Sequence, residues 1–354
     1  MSSFSPPWFL QNGLAMTLYT ALVTSQTWHQ RLNLRPVAYR DHVFTGHGDV
    51  PIFGRWAMPE RPRGTVIATY GITGSLEDQW QLEILGRKAY HRGYGLVMFD
   101  WRAHGKTGEL SPTLTSDGIY EGYDYIALAA QAKALGCPPP YWLMGYSLSG
   151  QLALWGAKAA MDLPKGLTPG DVGGVVVVCP SLDSTRSLRY LVASPLGKQL
   201  EQSIAQELKR LAERLYQIHP EHFDRAAIDR ANSIWAFDHE LVIPRLGFAS
   251  VEDYYAASSP LPFMADLATP TLILYAADDP LFSPEIIPDL QSICAANSHL
   301  DLMLTDYGGH VGYYSGSAGQ RQSGDNDPWW AWNRALDWVD RQMNRSSVSD
   351  RSTS

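Results

Sequence analysis

Leu143-Met144-Gly145-Tyr146-Ser147-Leu148-Ser149-Gly150 joins a short apolar run, Tyr141–Met144, to a helical stretch, Ser149–Met161, through the pattern Gly-x-Ser-x-Ser-Gly. A strand that turns directly into a helix around a serine needs small residues two before and two after it, because the tight turn leaves no room for larger side chains. The serine is then exposed above the sheet on a strained backbone, and the helix N-terminus behind it favours developing negative charge. Ser147 is therefore the candidate nucleophile. Ser149 stands where the second glycine is usual, and serine is small enough for the turn.

Outward from this turn, β-like runs alternate with helical ones. Strands are predicted at 63–70 (RGTVIATY), 95–100 (GLVMFD), 141–144, 174–179, 271–276 (TLILYA) and 300–305 (LDLMLT), and helices at 120–135, 149–161 and 328–343. The continuous apolar character of Gly174–Cys179 suits a sheet covered on both faces. This alternation predicts an α/β fold with a mostly parallel central sheet flanked by helices. One stretch breaks it. Between Leu182 and Leu267 there is no strand pattern, and Leu200, Ile204, Leu208, Leu211 and Leu215 fall on one helical stripe. The expected organisation is a body in two parts, 1–181 and 268–343, an inserted helical cap over 182–267, and a disordered Ser-rich tail over 344–354. Insertions of this kind cover sites at the C-terminal ends of sheet strands.

Serine is a weak nucleophile at neutral pH and needs a base. His310 follows the last strand in Gly308-Gly309-His310-Val311-Gly312, where flanking glycines let the loop carry the imidazole over the sheet. An acid must fix the tautomer of that imidazole. Asp278 and Asp279 close the strand ending at Ala276; in hydrolases that pair a serine with a histidine in this way the acid commonly lies three residues after the small residue ending the strand, which favours Asp279, with Asp278 left to cap the turn. The order Ser147, Asp279, His310 is that of α/β-hydrolases. Oxyanion donors are expected from the backbone N–H of Leu148, directly after the nucleophile, and from that of Ile72 in the turn Gly71-Ile72-Thr73-Gly74. Gly71, Tyr146 and Trp235 are candidate substrate contacts, and Trp235, Phe237, Tyr254, Tyr255 and Phe263 are candidates either for an apolar acyl pocket or for packing the cap on the body.

Nearly the whole chain resembles the α/β-hydrolases, and within them the YheT-like branch. The similarity rests on Phe4 to Gly13 and Thr17, on Gly71 with Gly74-Ser75, and on Phe237-Asp238, Gly247-Phe248 and Tyr254-Tyr255 before Ser258-Ser259. Its closest matches are Asp278-Asp279-Pro280 and Gly308 to Gly312. Tyr70 departs from the branch's histidine before the oxyanion turn, and Ser149 from its glycine. The resemblance implies carboxylic-ester hydrolysis, with phospholipid substrates or acyl transfer to alcohols among relatives.

Composition bounds the alternatives. Of 354 residues, 45% are hydrophobic and 11% aromatic, which excludes a disordered chain. A formal net charge of −8 argues against a nucleic-acid partner. Three scattered cysteines form no disulfide framework and no metal-ligand spacing, so no metal and no organic cofactor is expected, and the expected compartment is reducing and cytoplasmic. The apolar stretch Leu14–Val23 is too short to span a bilayer and is expected to dock on the domain surface. Three functions remain open: ester hydrolysis, acyl transfer with the same three residues, and non-catalytic binding on a hydrolase fold. His219 and Asp224 match a His-x4-Asp acyltransferase pattern, at a frequency chance alone would supply. Acyl chain, leaving group and oligomeric state are not legible.

Overall fold

The computed structural model describes residues 4–352, with side chains through Arg345. Eight strands form one sheet: β1 (Arg40–Thr45), β2 (Pro51–Ala57), β3 (Thr65–Ala68), β4 (Gly95–Phe99), β5 (Tyr141–Tyr146), β6 (Val172–Val178), β7 (Thr271–Ala276) and β8 (Leu300–Thr305). Their order is β1-β2-β4-β3-β5-β6-β7-β8. β1–β2 and β2–β4 are antiparallel, and every other neighbouring pair is parallel. The central strands β3, β4, β5 and β7 are buried along their whole length, as expected for strands covered on both faces.

The edge hairpin β1–β2 escapes sequence reading for a physical reason. β1 is Arg-Asp-His-Val-Phe-Thr and mostly exposed, so it shows no continuous apolar run. Its partner strand, not its own composition, makes it a strand.

Helices α1 (Gly13–Tyr19), α2 (Trp80–His91), α3 (Glu121–Ala134) and α4 (Leu148–Ala159) precede the interruption of the sheet. Between β6 and β7 run α5 (Ser184–Ala193), α6 (Pro195–Ile218), α7 (Val251–Ser258) and shorter turns. They enclose a second apolar core in which Leu208, Leu211 and Leu215 meet Phe223, Ile228, Phe237 and Val242. Helix α6 begins at a Ser194 cap that accepts the Gly197 N–H, with Pro195 at its first position, where a missing N–H costs nothing. α8 (Ile287–Ala296) leads to β8, and α9 (Trp330–Ser352) closes the chain.

Helix α9 continues past Met343 into the stretch expected to be a disordered tail. No proline or glycine follows Pro328, so nothing in the sequence stops the helix once its first turns are anchored. Trp329, Trp330, Trp332 and Trp338 are that anchor, all buried in the main core. Among the described residues, no helix is long and apolar enough to cross a membrane.

Candidate active site

Ser147 sits between β5 and α4 with φ 55° and ψ −129°, a conformation costly for any residue with a Cβ. The turn tolerates it because its neighbours are small. A Cβ on Gly145 would lie 2.1 Å from the Ser149 carbonyl oxygen, and one on Gly150 would lie 2.9 Å from Pro180. The departure at Ser149 has a clear use. Its buried hydroxyl accepts the Tyr146 N–H at 2.8 Å and faces the carbonyls of Thr69 at 3.0 Å and Tyr146 at 2.9 Å. Ser149 thus ties the end of β3 to the turn that carries Ser147.

His310 is delivered by the loop after β8. A Cβ on Gly309, at φ 56°, would approach the Gly13 carbonyl to 2.5 Å, so the loop passes directly against α1. The His310 N–H donates to Thr17 Oγ1 at 2.8 Å. The Phe282 ring meets the imidazole edge-on, 5.1 Å between centroids. Imidazole Nε2 lies 2.8 Å from Ser147 Oγ, and Nδ1 lies 2.8 Å from Asp279 Oδ2. Asp279 is buried, and its other oxygen accepts the Leu281 N–H at 2.9 Å. Asp278 points elsewhere: its Oδ1 accepts the Gly309 N–H at 2.9 Å, and burial raises its pKa. The two adjacent acids thus divide between the imidazole and the loop that carries it.

On the other side of Ser147 lies the turn Gly71–Gly74. A Cβ on Gly71 would be 3.2 Å from the Ser147 Cβ, a crowded contact that glycine avoids as the turn passes the nucleophile. Thr73 holds a positive φ of 66°. Its N–H donates to His104 Nε2 at 3.2 Å, while His104 Nδ1 faces the Arg102 carbonyl at 2.9 Å. The ring stacks on Trp101 with centroids 3.7 Å apart. Burial lowers the His104 pKa to about 4, so at neutral pH the ring is uncharged, with Nδ1 donating and Nε2 accepting. Tyr70, where a histidine is usual, donates to Asp100 Oδ1 at 2.5 Å and joins the root of this turn to the loop after β4. Leu148 is the first residue of α4, so its N–H has no acceptor within the helix.

These groups open on a cavity of about 580 Å³ between body and cap, a size suited to a small organic ligand. Gly71, Ile72, Tyr146, Ser147, Leu148 and His310 all line it. Its far wall is largely apolar, formed by Leu188 and Leu191 of α5, Ile204, Leu208 and Leu211 of α6, and Phe237. The helical stripe of the cap therefore both packs and faces the cavity. Of the five cap-end aromatics, Phe237 and Tyr255 reach it. Trp235 does not: it is exposed, stacks on His239 and donates to Glu252 Oε1 at 3.2 Å. Its four-residue helix turns Phe237 inward and Trp235 out. His219 and Asp224 are also occupied separately, His219 against the Gly108 carbonyl at 3.0 Å and Asp224 capping Ala226.

Sequence reasoning missed His104 and Asp117 on the cavity wall, and it gave no site role to Thr17 and Asp238, which it used only for the family resemblance. Burial raises both carboxyls, aided by the charge of Glu121 at Asp117, which is pushed up to about 7, and by that of Asp117 at Asp238, and Tyr255 donates to Asp238 at 2.5 Å. For His104 the available signal was the polar loop Trp101–Gly105 placed directly after a strand. Among the described residues, no group of three or more His, Cys, Asp or Glu side chains is placed to hold a metal ion.

Comparison with known proteins fits this geometry. Residues 71–321 match the model of the alpha/beta hydrolase family. The chain is 53% identical over 349 residues to "Putative esterase slr0264" of Synechocystis, covering 96% of this chain and 95% of that one. It is 29% identical over 292 residues to "Putative esterase YheT" of Escherichia coli, covering 81% and 79% of the two chains. In fold it is similar to the Pyrococcus furiosus esterase Pf2001, with a TM-score of 0.54 at 17% identity, over 87% of this chain and 93% of that one. With a mostly parallel eight-stranded sheet, a serine at the β5–α4 turn and a family match across most of its length, the chain belongs to the alpha/beta hydrolase family.

Proposed function

We propose that the protein is a carboxylic-ester hydrolase that works through an acyl-enzyme on Ser147. The observation that carries this is the continuous chain Ser147 Oγ–His310 Nε2 and His310 Nδ1–Asp279 Oδ2, both links 2.8 Å, at the wall of an apolar cavity. The relatives described as esterases support the reaction class.

In this reading Ser147 Oγ attacks the ester carbonyl as His310 Nε2 takes its proton. Asp279 holds the Nδ1 proton in place and stabilises the imidazolium. The N–H groups of Ile72 and Leu148 face the developing oxyanion, and each such donor is worth about 3 kcal/mol of transition-state stabilisation. The imidazolium returns its proton to the leaving alcohol, and the alcohol departs. Water then attacks the acyl-enzyme with His310 as base, releasing the acid and restoring Ser147.

The apolar wall from α5 and α6 favours an acyl chain longer than acetyl. Hydrolysis of p-nitrophenyl esters of rising chain length tests this: kcat/KM increases from acetate to octanoate, and Ser147→Ala abolishes turnover throughout. A monotonic fall with chain length overturns the acyl-pocket assignment. Adding an alcohol to the same assay and finding ester product in place of acid would move the assignment to acyl transfer.

A further inference from the structure

The wall of the cavity is apolar along α5 and α6, but the corner where cap meets body is not. Asp117, four residues before α3, and Asp238, directly after Phe237, both line it while being only 9% and 7% exposed. The Asp117 carbonyl accepts from Gln151 Nε2 at 2.8 Å, and Gln151 stands one turn of α4 beyond Ser147, so the corner is tied close to the nucleophile. Oδ2 of Asp238 takes the Tyr255 hydroxyl, which leaves Oδ1 without a partner among the described residues. Asp117 meets the Thr115 hydroxyl at 3.3 Å and faces that of Tyr254. The charged groups that act on the pair are Glu121 and the two carboxyls themselves, with no cation among them. Among the described residues, no lysine or arginine lines the cavity.

A different element supplies a second polar group. Ser187 of α5 lines the same cavity and is 7% exposed, yet its hydroxyl has no hydrogen-bond partner among the described residues. Helix α5 packs on α7, which carries Tyr255, and the Ser184 N–H donates to Ser259 Oγ at 3.0 Å, so the two helices run side by side here. A buried hydroxyl left unpaired costs about 1–3 kcal/mol. The chemistry that could fill this corner is narrow. A carboxylate or phosphate would add negative charge beside two acids, with no cation to offset it. An apolar chain end would leave Asp238 Oδ1 and Ser187 Oγ unpaired. An ammonium would need the acids ionised, whereas burial favours their protonated forms. A neutral hydroxyl meets every condition, because it can donate to a carboxyl oxygen and accept from the serine or from a protonated carboxyl.

We propose that Asp238 and Ser187, with Asp117 beside them, form a subsite for a neutral hydroxyl group of the substrate, a short chain away from the ester that Ser147 attacks. This rests on the cavity being the substrate site, as proposed above. The test uses alcohols, which are not turned over, so a failure of ester hydrolysis would strike that reading and leave this comparison standing. Calorimetric titration of the full chain compares linear monoalcohols of about four to ten carbons with α,ω-diols of the same lengths. At the best-fitting length the diol should bind at least as tightly as the monoalcohol, whereas a wholly apolar cavity would bind it about tenfold more weakly. Ser187→Ala should lower the preference for the diol by about threefold to tenfold, and Asp238→Leu by at least about tenfold, with monoalcohol binding little changed. If Asp238→Leu lowers the melting temperature, Ser187→Ala decides alone. No binding of any diol, a preference for the monoalcohol at every length, or a preference unmoved by the variants overturns the proposal and leaves the corner to water or to the joining of cap and body. Tighter binding of an alkylammonium than of the diol of the same length also overturns it, and would assign the acids to a cation.

Discussion

His104 lies behind the oxyanion turn and can be perturbed without touching Ser147. Its imidazole is held at a pKa of about 4, against an ordinary value of 6.5, chiefly because it is buried. Between those two values the unfolded chain binds a proton that the folded chain excludes. Stability from this group is therefore complete above pH 6.5 and is lost as pH falls toward 4. The difference of about 2.5 in pKa, at about 1.4 kcal/mol each, amounts to about 3 kcal/mol in all. His104→Gln keeps an acceptor for the Thr73 N–H but does not titrate. Urea unfolding at pH 7 and pH 4.5 should show the unaltered chain losing about 2 kcal/mol more than the variant between the two conditions. Titrating groups common to both chains cancel in that comparison.

The same residue has a kinetic signature. His104→Ala leaves the Thr73 N–H without its acceptor, at a cost of about 1–3 kcal/mol, and frees a turn held at positive φ. With the Ile72 N–H no longer fixed, kcat on a p-nitrophenyl ester should fall on the order of 100-fold with little change in KM. His104→Gln should recover most of that loss. Equal pH sensitivity of the unaltered chain and the Gln variant, together with an undiminished kcat in the Ala variant, would refute the role given to His104.

Two other predictions follow from contacts around His310. Asp279→Asn should reduce kcat by about 10³–10⁴ by allowing the wrong tautomer, whereas Asp278→Asn, which touches only the loop backbone, should cost less than about tenfold; steady-state kinetics of the pair separates the two acids. Gly13→Ala would place a Cβ 1.6 Å from the Asp278 carbonyl oxygen. Because that neighbour is backbone, thermal unfolding should show a destabilisation of several kcal/mol, about 3 or more.

Much of the site was legible because its constraints are local. The serine turn needs Gly145, a small residue at 149 and Gly150 within a few positions, and the His310 loop needs adjacent glycines. The preference for Asp279 over Asp278 came from the usual place of the acid in hydrolases of this type, three residues after the strand's last small residue, and in the structure it is Asp279 whose carboxylate meets His310 Nδ1. What stayed hidden depends on partners far away in sequence. β1 is a strand because of β2, and Thr17 reaches His310 across 293 positions. His104 carries no motif of its own; its place beside Thr73 is set by the sheet order that lays β3 next to β4. Trp235 was misplaced because a short helix offers several faces, and composition does not say which one turns inward.

The central claim is that Ser147 carries the acyl group. Treatment with a fluorophosphonate probe, followed by intact-mass and peptide mapping, addresses it most directly. The expected result is one adduct per chain, located on Ser147, with hydrolysis lost in step with labelling and no adduct on Ser147→Ala. An adduct confined to another residue, or undiminished ester hydrolysis by Ser147→Ala, would contradict it.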